Sequence, residues 1–201
     1  LEQQKETLKK FRCEFDCFYS EKSLHAGGEI PKAIEKLKSQ GYIYEQDGAL
    51  WFKSTDFGDD KDRVLVKTDG AYTYFAPDIA YHLTKIERGG QWLIDILGAD
   101  HHGYVSRITA AVLALSNKQA RMDVVIGQLV SLFRAGEPVR MSKRTGEMIT
   151  LEEVMEEIGT DALRYILVSR KHSQTLDFDL EEVKKQNKEN PVFYIQYAFA
   201  R

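Results

Sequence analysis

Cysteine is nearly missing from this 201-residue chain. Cys13 and Cys17 are too widely spaced for a Cys-x-x-Cys site and there is no second pair, which excludes a structural zinc of the usual kind. At this spacing they read as buried thiols in a reducing compartment, not as a disulfide. No apolar run approaches the length of a membrane span, and no signal-peptide pattern is present. Net charge is close to balance, at -3 with a pI near 6.0, which excludes a protein that coats nucleic acid by bulk charge but leaves room for a local basic patch. Walker A and Gly-x-Ser-x-Gly strings are missing, and neither cysteine has a base nearby, so nucleophilic catalysis finds no support. There is no internal repeat and no low-complexity tract. The chain does not begin with methionine, and Arg201 falls inside an aromatic helical pattern, so we expect a fragment of a longer protein.

A hydrophobic fraction of 43% with 29% charged residues is enough to build a core and a solvated surface. Residues 1–12 read as a polar helix, and Phe15, Cys17 and Tyr19 alternate as a short strand would. Ile30, Ala33, Ile34 and Leu37 recur at helical spacing between Pro31 and Gly41. Asp47-Gly48 between two apolar runs predicts a hairpin. The acidic stretch Asp56, Asp59, Asp60, Asp62 lacks the spacing and closing glutamate of a calcium loop, so it reads as an exposed loop. Residues 63–67 and 72–75 predict two strands, and Asp78 caps a helix reaching about Arg88. Residues 92–97 predict a buried strand, 105–115 a helix, and 124–133 a returning strand. Strand, glycine-rich turn, helix, strand is the pattern of an α/β parallel sheet, whose ligands bind at the carboxyl ends of the strands. From about residue 150 the pattern turns helical: Thr150 with Glu153 forms a capping box, Gly159 breaks the helix, Asp161 caps another, residues 180–189 predict a third, and Asn190-Pro191 opens an aromatic one.

Three stretches can carry chemistry. Residues 139–146, Val-Arg-Met-Ser-Lys-Arg-Thr-Gly, put three cations into five positions on a loop between a strand and a helix. Charge alone is satisfied by a solvated basic turn, but such a loop can also bring a lysine point charge to a polyphosphate. Residues 98–104, Gly-Ala-Asp-His-His-Gly-Tyr, place a carboxylate, two imidazoles and a phenol between glycines at a strand end. Asp100 suits ribose hydroxyls, and His101 or His102 suits a base, a phosphate or an amino acid; the plainer reading is a polar turn capping the next helix. Adjacent histidines rarely reach one ion together, so no metal is assigned. Tyr74 and Asp78, four apart across a corner fixed by Pro77, suit a cationic ligand; equally, Asp78 serves as an N-cap and Tyr74 as core.

Taken in order, these stretches resemble arginyl-tRNA synthetases of the bacterial type. Arg140-Met141-Ser142-Lys143 is similar to the Lys-Met-Ser-Lys signature of class I aminoacyl-tRNA synthetases. Residues 74–82, 98–104, 159–164 (with Asp-Ala-Leu-Arg) and 190–198 match further stretches of that family, and the resemblance runs from about residue 30 onward. It implies an α/β fold: the second half of a Rossmann-like nucleotide-binding domain over 63–150, a helix and small α+β insertion over 1–62, and a helical linker with the start of an all-α anticodon-binding domain over 151–201. The implied reaction joins arginine to its tRNA through an arginyl-adenylate made from ATP, with Mg²⁺ accompanying the ATP and no structural zinc. The implied catalytic residues are Lys143, Ser142 and Arg140. ATP falls to Gly98, Asp100, His101, Met141 and Lys143, and arginine to Tyr74, Asp78 and His101. The resemblance further implies a cytoplasmic protein, away from membranes, monomeric at full length. Two departures stand out: Arg140 replaces the first signature lysine, and the family's His-Ile-Gly-His is not in this sequence. We therefore expect the 201 residues alone to be inactive. Two other readings are a related class I nucleotidyltransferase, which the helices after residue 161 argue against, and a non-catalytic paralogue that binds RNA or a partner.

Overall fold

In the computed structural model, residues 1–139, 149–187 and 190–201 are described. In chain order the elements are α1 (Glu2–Lys10), α2 (Glu21–Ala26), α3 (Glu29–Ser39), β1 (Ile43–Gln46), β2 (Ala49–Phe52), β3 (Arg63–Val66), α4 (Phe75–Glu87), β4 (Trp92–Gly98), α5 (Val105–Leu115), β5 (Arg121–Gly127), β6 (Val130–Arg134), β7 (Glu137–Pro138), α6 (Leu151–Ile158), α7 (Thr160–Val168), β8 (Leu176–Asp179), α8 (Leu180–Lys184) and α9 (Pro191–Ala200). They form two compact units, Phe18–Ile126 and a second made of Leu1–Cys17 with Gly127–Arg201.

In the unit Phe18–Ile126, α3 turns Ile30, Ala33, Ile34 and Leu37 inward, as their spacing requires. Asp47 and Gly48 both take positive φ, 52° and 74°, the conformation a two-residue hairpin turn needs, and β1 pairs antiparallel with β2. β2 pairs antiparallel with β3 in turn. Ile79 and Leu83 of α4 and Ile108, Val112 and Leu115 of α5 join Phe52 and Leu65 in one core. β4 pairs with β5, and α5 lies between them in the chain.

Several local expectations fail here for identifiable reasons. Residues 15–19 make no strand, and Phe15 stays exposed. Cys17 is exposed too, while Cys13 is half-buried, and both are free thiols. Tyr72–Phe75 is not a strand: a single bridge joins Val66 and Tyr72, Thr73 bonds back to β3, and Phe75 already opens α4. Asp78 is consequently not an N-cap, because helical geometry begins at Tyr74 and Asp78 sits within the first turn. β4 is buried on one face only, with Trp92, Ile94 and Ile96 exposed on the other.

The expected strand 124–133 is two strands, β5, which lies in the unit Phe18–Ile126 up to its last residue, and β6 in the second unit, parted where the Gln128 amide donates to the His172 carbonyl. β6 pairs antiparallel with β7 and parallel with β8. β8 is a strand inside the stretch read as wholly helical; Leu176 and Phe178 alternate inward and join Leu132, Val154, Met155, Leu163 and Leu180 in the core. The helix expected over 180–189 ends at Lys184. α7 begins at Thr160 with Gly159 as its N-cap, so Asp161 lies in its first turn and is not the cap expected. The other two helix-start signals hold. Thr150 and Glu153 form the capping box, and the Asn190 side chain accepts from the amides of Val192 and Phe193 ahead of α9. Asp161 and Arg164 both reach the segment after α1. Asp161 pairs with Arg12, and Arg164 donates to the carbonyls of Phe11, at 2.7 Å, and Arg12.

Candidate functional site

The first turn of α4 carries the first pair of candidate residues. Tyr74 and Asp78 are one turn apart and share a helix face. Tyr74 is 94% exposed, so it is not core. Asp78 is half-buried near a helix N-terminus, where the helix dipole favours an anion. Burial raises its pKa above the ordinary carboxylate value, against the hydrogen bond donated by the Tyr104 hydroxyl and the charge of His82. Among the described residues no lysine or arginine forms an ion pair with Asp78.

Behind Asp78 the same helix presents His82 and Lys85 to Asp95 of β4. His82 Nδ1 is 2.7 Å from the Asp78 carbonyl oxygen and Nε2 is 2.9 Å from Asp95 Oδ2. Lys85 Nζ donates to Asp95 Oδ1 at 2.8 Å. Burial works to raise the Asp95 pKa, but His82 and Lys85 outweigh it and hold it at about 2. This network escaped the sequence reading. Its signal was there: Asp78, His82 and Lys85 fall at i, i+4 and i+7, and Asp95 is the lone acid in an apolar run.

β4 delivers the second stretch. Gly98 is extended, at φ -71° and ψ 162°, and a tight turn over Ala99–Tyr104 leads into α5. A side chain at position 98 would press on Asp100 Oδ1, 2.7 Å from an added Cβ. Asp100 and His101 are exposed, with 3.6 Å between the carboxylate and the imidazole. Tyr104 turns inward to Asp78 instead, a role the sequence did not reveal. Among the described residues, then, the fold joins Asp78 to Tyr104, His82 and Asp95, and leaves the side chains of Tyr74, Asp100 and His101 open to solvent.

The acidic stretch is exposed at Asp56 and Asp60, as expected, but Asp59 makes it a latch. Asp59 is buried and takes both Nε (2.7 Å) and Nη2 (2.8 Å) of Arg63, together with the Ser106 hydroxyl at 2.9 Å. It thereby ties the loop before β3 to the first turn of α5. Beside it opens a cleft of about 740 Å³, lined among others by Lys61, Arg63, His102 and Arg107. Arg63 is neutralised by Asp59 and Asp60; Lys61 and Arg107 form no ion pair among the described residues.

Arg140, Met141, Ser142 and Lys143, with the rest of the basic loop to Gly146, lie outside the described residues. Among the described residues no group of three or more His, Cys, Asp or Glu side chains is arranged to hold a metal ion, and no helix is long and apolar enough to cross a membrane.

The family model described as "tRNA synthetases class I (R), catalytic domain" matches residues 2–194. An arginine–tRNA ligase of Anoxybacillus flavithermus is 56% identical over 197 residues, 98% of this chain and 35% of that protein. One from Bacillus subtilis is 51% identical over 201 residues, 100% of this chain and 36% of that protein. A crystal structure titled as a putative arginyl tRNA synthetase from Campylobacter jejuni aligns with a TM-score of 0.88 at 42% identity, covering 98% of this chain and 43% of its own. The arginyl-tRNA synthetase of Thermus thermophilus shares the fold, with a TM-score of 0.76 at 18% identity, over 98% of this chain and 43% of its own. The chain thus spans about a third of the length of the curated relatives it matches.

Proposed function

The chain belongs to the family of class I (R) tRNA synthetase catalytic domains, and we propose that the protein carrying it joins arginine to its tRNA in two steps driven by ATP. The carboxylate oxygen of arginine attacks the α-phosphorus of ATP, giving arginyl-adenylate and releasing pyrophosphate. A hydroxyl of the terminal ribose of the tRNA then attacks the activated carbonyl carbon, and AMP leaves. Arginine, ATP and tRNA are thus the partners, in a cytoplasmic protein that is monomeric at full length.

One observation carries this reading: Asp78 is a half-buried carboxylate held by a neutral donor, with no lysine or arginine beside it among the described residues. A buried carboxylate of this kind calls for a cation, and the guanidinium of arginine supplies one with the planar donors that a carboxylate accepts best. Exposed Tyr74, one turn before it, covers the same ligand. Gly98, Asp100 and His101 stand at the carboxyl end of β4, where such sheets bind nucleotides, and receive ATP, with His101 reaching the arginine side as well. By resemblance Lys143, with Ser142, Arg140 and Met141, meets the triphosphate as charge builds on it. Mg²⁺ enters on the triphosphate oxygens, in keeping with that ion's preference for substrate phosphates over a protein cage.

The finer architecture belongs to the same proposal. Residues 63–150 form the second half of a Rossmann-like domain, 1–62 a helix and insertion on it, and 151–201 the passage into a helical anticodon-binding domain.

In the full-length protein, Asp78→Asn keeps the side-chain shape and removes the charge. We expect the arginine KM in arginyl-tRNA formation to rise, by the ~1.5–3 kcal/mol that a charge-assisted contact carries, or roughly 10- to 150-fold. The KM for ATP stays near the wild-type value. An unchanged arginine KM would remove Asp78 from the site. Lack of arginyl-tRNA formation by the wild type would favour a non-catalytic paralogue.

A further inference from the structure

We propose that Tyr104 is the positioning residue of the arginine site: its hydroxyl sets the orientation of Asp78, and Arg107 holds its ring in place. The proposal rests on the reading of Asp78 as the carboxylate that receives the guanidinium.

Tyr104 ends the turn after β4 and donates its hydroxyl proton to Asp78 Oδ2. Two contacts fix its ring. Phe75 meets it edge-on, with centroids 5.9 Å apart and planes at 84°, and the Arg107 guanidinium lies 5.2 Å from its centroid. Phe75 is 4% exposed and opens α4 three residues before Asp78. The helix turn that carries the carboxylate therefore also helps clamp the phenol that holds it. Arg107 forms no ion pair among the described residues, and its Nε is buried without a hydrogen-bond partner. Its guanidinium also reaches the Phe75 ring, at 5.9 Å, so its packing is against the two rings.

The kind of donor matters. A lysine or arginine in place of Tyr104 would hold Asp78 equally well but cancel its charge. A phenol is neutral, so it fixes one oxygen and leaves the negative charge for the ligand. It also supports the ionised form against burial. The other charged groups acting on Asp78 are His82, which favours ionisation, and Glu21 and Asp95, which oppose it. Without the hydroxyl, burial and the two acids face His82 alone, and Asp78 protonates at a higher pH. Because arginine needs the ionised carboxylate, its KM then begins to climb earlier as pH is lowered.

The test is Tyr104→Phe in the full-length protein, which keeps the ring and both ring contacts. We expect the arginine KM to rise about tenfold, the effect of losing one hydrogen bond to a charged group. We further expect kcat and the KM for ATP to stay within about twofold, an unchanged melting temperature, and an onset of the low-pH rise in arginine KM shifted to higher pH. An arginine KM within twofold of wild type overturns the proposal, as does a rise that is equal at every pH and comes with a lower melting temperature. Asp78→Asn in parallel separates the two claims. If it leaves the arginine KM unchanged, the reading of Asp78 itself fails; if it raises the KM and Tyr104→Phe does not, only the role of Tyr104 fails. Should Tyr104→Phe not fold, Arg107→Met, which loosens the ring but keeps the hydroxyl, is expected to raise the arginine KM several-fold, and no change there is equally fatal.

Discussion

Replacing Asp59 with Asn is expected to destabilise the unit Phe18–Ile126 by about 3 kcal/mol. The Asp59 side chain is 0% exposed and that of Arg63 is 11% exposed, so this ion pair is out of solvent. Asp59 also accepts from the Ser106 hydroxyl and the Asp60 amide, both at 2.9 Å. Asparagine keeps the volume and one carbonyl oxygen, but it turns an amide NH₂ toward the guanidinium. Breaking one side of a buried pair costs about 3–5 kcal/mol, because the remaining charge is left uncompensated. Asp60 also meets Arg63, but its own side chain is 71% exposed, and exposed pairs recover at most ~1 kcal/mol, which puts the cost at the lower end. Urea unfolding followed by the fluorescence of Trp51, which pairs with Val64 beside Arg63, reads this directly. With a slope of roughly 1–3 kcal/mol/M, the midpoint falls by about 1–3 M. The pH dependence adds an internal control. Burial works to raise the Asp59 carboxyl, but Arg63, Ser106, Ser54 and the Asp60 amide hold it well below the usual range. A depressed carboxylate stabilises above its unfolded pKa, roughly 4, and loses that contribution as pH falls toward the folded value. The gap between wild type and variant is therefore constant near neutrality and closes below about pH 4. A midpoint shift under roughly 0.3 M, or a gap that does not change with pH, would refute the latch.

Lys143→Ala in the full-length protein is expected to lower the rate of adenylate formation in a single turnover far more than it weakens arginine binding; a loss of affinity without a loss of rate contradicts the role given to Lys143. In a pH titration followed by carbon NMR of the aspartate carboxyls, Asp78 is expected to protonate first as pH falls, while Asp95 stays ionised to about pH 2 and Asp59 lower still. Arginine binding moves the Asp78 transition to lower pH, and an Asp78 that titrates below Asp95 would contradict the account of its surroundings.

The parts of the fold legible in the sequence are those whose cause is local. Asp47-Gly48 fixes its turn through two positive φ angles, Thr150 and Glu153 satisfy each other's amides, and the Ile30–Leu37 spacing needs only a helix. Where a tertiary partner decides, the pattern misleads. Tyr72–Phe75 has strand composition, but Thr73 is tied to β3 and Phe75 is drawn into the core, so the chain turns into α4 early. Residues 92–97 look buried because all but Asp95 and Gly98 of β4 are apolar, yet Trp92, Ile94 and Ile96 face out. The site divides the same way. Tyr74 and Asp78 stand out by type and spacing, whereas the phenol that holds Asp78 comes from 26 positions later, across the β4 turn.

Three aspartates of the unit Phe18–Ile126, all partly or fully buried, are held in different ways. Asp59 has a bidentate arginine and two further donors; Asp95 has an imidazole and an ammonium. Both are held in the ionised state with their charge already spent inside the protein, so neither has affinity left for a cationic ligand. Asp78 has one neutral hydroxyl, and its pKa moves in the opposite direction. A carboxylate that burial destabilises, with only the charge of His82 in its favour and no lysine or arginine paired with it among the described residues, is costly to keep ionised. His82 sharpens the contrast, because it contacts both acids through different groups: the side chain of Asp95, but only the backbone carbonyl of Asp78. The fold thus sets the side chains of His82 and Lys85 on Asp95, fixing α4 on β4, and leaves the Asp78 carboxylate with the Tyr104 hydroxyl.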